Sequence, residues 1–127
     1  MPELKKILFV EHCKEMPLAY AAADIVVSSS IQPEAFGRVA VEAQSMEKII
    51  IASNIGGSNE TIIDEKTGFL FDSGDAVSLS KKIIQAITMD ESSLKLMGKE
   101  GRKNIIKKFN VEKMCFSTYS EYKRLLN

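Results

Sequence analysis

Glu34 and Glu42 are two carboxylates eight residues apart in the stretch Ser28 to Ala43, SSSIQPEAFGRVAVEA. Three serines close an apolar run, Pro33-Glu34-Ala35-Phe36-Gly37 reads as a turn, and a helix follows. A carboxylate in such a loop is free to accept hydrogen bonds from sugar hydroxyls. The backbone amides of Phe36, Gly37, Arg38 and Val39 would be the unpaired donors of the helix N-terminus. They form an anion site suited to a diphosphate, and Gly37 lets the backbone come close to it. Glu42 lies over a turn further along, where a carboxylate can bind two adjacent ribose hydroxyls. Sugar, diphosphate and ribose would then lie in one line, which points to a nucleotide-sugar site.

The spacing alone carries no weight. Twelve glutamates in 127 residues produce about one pair at this separation by chance, and Glu3 with Glu11 is such a pair. The setting gives the pair meaning, because it joins a strand, serines, a Pro-Glu-x-Phe-Gly turn and a helix in that order. Other candidates are open to plainer readings. Gly56-Gly57 is a tight turn, or it keeps the wall of a sugar pocket open together with Ser30. Glu60 is then a first-turn carboxylate favoured by the helix dipole. Arg38 is a surface arginine or a phosphate contact. His12, the single histidine, reads as a structural or pocket-edge side chain at a strand end.

Short apolar strands alternating with helices would position these groups. Ile7–Val10, Ile25–Ser28, Ile49–Ala52 and Phe69–Phe71 read as strands. Helices are expected over Pro17–Ala23, Gly37–Ser45, from Asn59 to Ile63, up to Thr88 from a cap at Asp75 or Ser78, over Leu94–Phe109, and over Glu112–Leu126. The pattern is that of a parallel sheet of about four strands covered on both faces, a doubly wound α/β fold with C-terminal helices. In such sheets ligands bind beyond the carboxyl ends of the strands, where the Ser28–Gly37 and Gly56–Glu60 turns both fall.

The composition suits one ordinary domain, with 45% hydrophobic and 27% charged residues. Seventeen basic and seventeen acidic residues cancel, so no overall field favours nucleic acid. Cys13 and Cys115 lack metal-ligand spacing and read as reduced, mostly buried thiols of a cytoplasmic protein. The apolar run near the N-terminus is too short for a signal peptide or a membrane span. Lys95, Lys99, Lys103 and Lys107 form a stripe beside Arg102, and Leu94 to Lys108 carries a net +5. This is a solvated helix face, or a surface weakly attracted to an anionic membrane at its inner, cytoplasmic side.

The chain resembles the retaining glycosyltransferases of family 4, also called group 1, which have the GT-B fold. The likeness rests on Ala21-Ala22-Ala23-Asp24-Ile25-Val26-Val27 and on PEAFGRVAVEA, which matches the family's E-x7-E motif. It continues through Gly56-Gly57 to Glu60, Thr67-Gly68-Phe69-Leu70-Phe71, Met97-Gly98 and Gly101-Arg102. The resemblance implies a Rossmann-like domain that binds a nucleotide-diphosphate sugar. Glu34 would contact the hexose near the reacting carbon. Ala35, Phe36, Gly37 and Arg38 would cradle diphosphate and sugar, and Glu42 would hold the ribose. It implies no metal and a role in building cell-envelope polysaccharide or glycolipid.

Met46-Glu47-Lys48-Ile49 departs from the pattern, lacking the glycine and proline usual before this strand, so a less rigid turn is expected there. Asn59 is an unusual neighbour of Glu60 that would cap a helix well. The resemblance also implies that residues 1–127 are a single partial domain. The family's first domain and the first two strands of the donor-binding domain, with their diphosphate-binding arginine and lysine, have no counterpart in the chain. Ile7–Val10 and Ile25–Ser28 would then pair directly or leave strand edges exposed. The last helix would lack the domain it normally packs toward. A separately encoded N-terminal half, a binding module without catalysis, and an inactive remnant are the readings that follow.

Overall fold

The computed structural model describes residues 6–126. Its elements run α1 (Met16–Ala22), β1 (Ile25–Ser28), α2 (Arg38–Ser45), β2 (Ile49–Ser53), α3 (Ser58–Thr61), β3 (Phe69–Phe71), α4 (Ala76–Thr88), α5 (Glu91–Lys108) and α6 (Val111–Leu126). The three strands form one parallel sheet in the order β1-β2-β3. Ile25 faces Ile49 across the first pair, and Ile51 faces Phe69 across the second.

β2 is buried along its whole length, which is why its five residues read Ile-Ile-Ile-Ala-Ser without polar alternation. Successive side chains leave a strand on opposite faces, and the core divides accordingly. Ile50 and Ala52 join Tyr20, Ala40, Ala43 and Ile62 on the face covered by α1 and α2. Ile49 and Ile51 join Phe69, Phe71, Ala86 and Met97 on the face covered by α4 and α5. This helix-sheet-helix layering is the expected doubly wound α/β arrangement.

The fourth expected strand does not form. Ile7–Val10 is irregular, and its side chains are between 55% and 91% exposed. A strand needs a neighbour for its amides and carbonyls, and β1 pairs with β2 alone among the described residues. Of the two expected outcomes, direct pairing or an open edge, the structure shows the open edge. His12 lies in the same exposed segment rather than at a strand end.

Asp75, not Ser78, caps α4, its carboxylate accepting from the amides of Val77 and Ser78 at 2.9 and 3.1 Å. Asn59 lies inside α3, which Gly57 caps. The turn after α2 closes without a glycine. Glu47 takes a left-handed φ of 57°, its amide bonds to Gln44 at 3.0 Å, and the Lys48 amide reaches Ala43 at 3.0 Å. That pair of bonds is the Schellman ending of a helix, with glutamate at the position glycine usually takes. α6 has no buried residue, so Cys115 on it is exposed; Cys13, before α1, is only half-buried, and neither matches the expectation of mostly buried thiols.

Candidate functional site

The candidate residues gather at the carboxyl end of β1, on the loop to α2 and on the first turns of α2. Glu34 is exposed, and its carboxylate accepts a hydrogen bond from the hydroxyl of Ser30. The loop is anchored from the far side of the sheet end, where the Ser73 hydroxyl donates to the Ser30 carbonyl at 3.2 Å.

The Gly56-Gly57 turn lies directly against this loop. The Gly57 amide donates to the Glu34 carbonyl at 2.8 Å. A Cβ at Gly56, whose φ is +56°, would lie 2.5 Å from the Glu34 oxygen, and one at Gly57 would lie 2.3 Å from the Phe36 carbonyl carbon. No side chain fits at either place. The glycines therefore let two backbone segments touch and set where Glu34 stands. The Phe36 ring meets Phe109 edge-on, with centroids 5.5 Å apart, and so ties the loop to the end of α5. A cleft of about 500 Å³ opens beside it, lined by Phe36, Phe109, Val111 and Met114. Neither glutamate lines this cleft.

Gly37 caps α2 in the left-handed region at φ 74°. Its carbonyl accepts from Ala40 and Val41 at 3.1 and 3.3 Å. The amides of Arg38 and Val39 belong to the first turn, where a helix offers donors it cannot satisfy itself. Ala40 and Ala43 are buried, and their small side chains bring α2 tight against the sheet.

Glu42 is held on both oxygens. One accepts from the guanidinium of Arg38 at 3.0 Å, and the other from the hydroxyl of Tyr20 at 2.9 Å. Burial pushes the Tyr20 phenol up to about 12, with the Glu42 hydrogen bond and charge adding to it, so Tyr20 is a neutral donor at ordinary pH. Sequence reasoning missed Tyr20. The one signal it offered was a single aromatic residue in an alanine-rich helix, which carries no address for a partner 22 residues away.

The structure thus joins Ser30, Glu34, Phe36, Gly37, Gly56 and Gly57 in one contact network, and Arg38 and Glu42 in a second along α2. Lys95, Lys99, Lys103 and Lys107 are exposed, and Lys95 pairs with Glu91 at 2.6 Å. No helix among the described residues is long and apolar enough to cross a membrane. Among the same residues, no three His, Cys, Asp or Glu side chains are grouped as a metal ion would need.

The sequence matches the family described as "Glycosyl transferases group 1" over residues 3–104. It is 29% identical over 120 residues to the capsular polysaccharide biosynthesis glycosyltransferase CapM of Staphylococcus aureus, covering 94% of this chain and 31% of that protein. The crystal structure of a glycosyltransferase from Rickettsia africae superimposes with a TM-score of 0.91 at 34% identity, covering 98% of this chain and 33% of the other. Anabaena HepE in complex with UDP-glucose gives 0.79 at 28% identity, covering 86% of this chain and 30% of HepE. The chain thus spans about a third of the length of these relatives.

Proposed function

The chain belongs to the group 1 glycosyl transferases, and from that membership and the site's geometry we propose that it is the donor-binding part of a retaining, family 4 enzyme. The observation that carries this is the arrangement at the end of β1. An exposed carboxylate stands on the loop after β1, the first turn of α2 follows it, and a second carboxylate lies further along that helix; in α/β sheets ligands bind at the end where this loop lies. Anabaena HepE, which shares this fold, was solved with UDP-glucose.

In this reading Glu34 accepts hydroxyls of the hexose and stands nearest the reacting carbon. Ser30, Gly56 and Gly57 form the pocket wall, and Ala35, Phe36, Gly37 and Arg38 cradle the sugar and diphosphate. Arg38 leaves Glu42 to reach a phosphate, at little energetic cost because the pair is exposed. Glu42 takes the ribose. Helix amides and basic side chains balance the diphosphate, so no metal is needed. Sugar transfer to an acceptor would require the two thirds of the relatives' length that this chain does not span. A cytoplasmic enzyme of cell-envelope polysaccharide or glycolipid synthesis fits, and the exposed lysine face of α5 would bring it to the membrane's inner surface.

Calorimetry of the chain with UDP-, GDP- and ADP-sugars tests the site. Binding of at least one is expected, weakened in a Glu34→Ala variant. Heat signals absent for all three would remove the donor-binding role. Co-sedimentation with liposomes that rises with acidic lipid is expected from the lysine face, and equal binding to neutral liposomes ends that part of the reading.

A further inference from the structure

α1 places a single aromatic side chain in the core, and its polar end is aimed at the candidate site. Tyr20 is 4% exposed, and its ring packs with Ala40, Ala43, Ile50 and Ala52 under α2. Its hydroxyl ends 2.9 Å from one oxygen of Glu42. The other Glu42 oxygen meets Arg38, whose side chain is 83% exposed. The two partners therefore differ in kind. Tyr20 is locked by packing, whereas Arg38 lies in solvent and is free to leave.

We propose that Tyr20 is a positioning residue for nucleotide recognition, holding the Glu42 carboxylate in the orientation that receives the 2′ and 3′ hydroxyls of a ribose. This rests on the assignment of Glu42 to the ribose made above. A carboxylate has about four acceptor sites, and the Tyr20 hydroxyl occupies one of them. Once Arg38 turns away, the remaining sites, on a side chain that is 34% exposed, are free for two hydroxyl donors. A free glutamate side chain loses rotamer freedom on being fixed. Tyr20 imposes that restriction on folding, so the ligand does not bear it on binding. Phenylalanine would keep the ring packing and remove only the donor.

The first test compares UDP, GDP and ADP with their 2′-deoxy counterparts by calorimetry on wild type, Tyr20→Phe and Glu42→Ala. Wild type should prefer the ribonucleotide. Tyr20→Phe should weaken ribonucleotide binding about tenfold, the scale of one hydrogen bond to a charged group, and weaken the 2′-deoxynucleotide, which keeps only the 3′ hydroxyl, by less. If Glu42→Ala abolishes the preference and Tyr20→Phe keeps it in full, Tyr20 is only a packing residue and the inference falls while the ribose assignment stands. If neither variant alters the preference, or no diphosphate binds, the ribose assignment itself falls and takes the inference with it.

A second measurement needs no ligand. The raised Tyr20 phenol contributes stability that is fully present below pH 10.0 and lost as pH climbs through about 12. NMR titration should therefore show Tyr20 ionising earlier in Glu42→Gln than in wild type, yet still above its ordinary value because burial is the largest cause. An unchanged titration would mean that the two groups are not coupled, which overturns the inference.

Discussion

Glu34 and Glu42 are the same residue type, eight positions apart, and the molecule holds them by opposite means. Glu34 stands on a loop fixed by backbone against backbone, where the Gly56-Gly57 turn leaves no room for a Cβ. Glu42 stands on a helix and is held by side chains, Tyr20 from the core and Arg38 from the surface. A backbone contact has no adjustable part, so it fails abruptly when a methyl group is added. A side-chain hydrogen bond can be traded for water or for a ligand, so it fails gradually. The hexose end of the site should accordingly be rigid and sensitive to structure, and the ribose end tunable.

Gly57→Ala is the most direct way to break that contrast. Gly57 has φ −60°, which alanine adopts freely, so any cost is steric and arises from the 2.3 Å approach to Phe36. A loss of about 3 kcal/mol in urea-induced unfolding is expected, at the upper end for overpacking. Nucleotide-sugar binding should fall with it. A cost below about 1 kcal/mol would show that the loop yields, and the rigid half of the comparison would be lost.

Glu42→Ala should do the reverse. Binding of a nucleotide sugar is expected to weaken by about 1–3 kcal/mol, the scale of hydrogen bonds to a charged group, with a stability loss of only about 1 kcal/mol as the Tyr20 hydroxyl gives up its acceptor. Unchanged affinity would remove Glu42 from the site. A large drop in stability would make it a structural residue like the glycines.

Glu47→Gly sharpens the helix side. The turn ending α2 has glutamate at φ 57°, where an L side chain costs about 1–2 kcal/mol. Glycine removes that strain but adds freedom to the unfolded chain, about 0.4–1 kcal/mol. The net expectation is a stabilisation of about 0.5–1 kcal/mol by denaturant titration. Destabilisation would mean that the closed turn owes more to the glutamate side chain than to its backbone bonds.

The same division separates what the sequence made legible from what it did not. Ile25–Ser28 and Phe69–Phe71 form as strands with the expected ends, because each is a local apolar run bounded by polar turns. The cap of α4 was readable only as Asp75 or Ser78, and the structure selects Asp75. Ile7–Val10 has the same local signature and is not a strand, since pairing depends on a neighbour that local pattern cannot supply. The Gly56-Gly57 turn was visible as a turn, but its contact with Phe36 spans 20 residues or more and leaves no trace in spacing. Tyr20 and Glu42 meet for an equally non-local reason, the stacking of α1 and α2 on one sheet face.

Ser73→Ala carries the smallest expected effect, and it decides what anchors the loop. The Ser73 hydroxyl donates to the Ser30 carbonyl across 43 residues, at 3.2 Å, in an exposed position. It joins the turn after β3 to the loop that carries Glu34, so it looks like a second anchor beside the glycine turn. Water can take over either end of an exposed hydrogen bond, and surface changes of this kind stay within about 0.5 kcal/mol. No solvent molecule can stand in for the backbone contact at Gly57. Chemical denaturation of Ser73→Ala should therefore match wild type, with nucleotide-sugar affinity retained. A loss above about 1.5 kcal/mol, well outside the surface range, would move the anchor of Glu34 from the glycine turn to the serine bridge. The hexose end would then be as tunable as the ribose end.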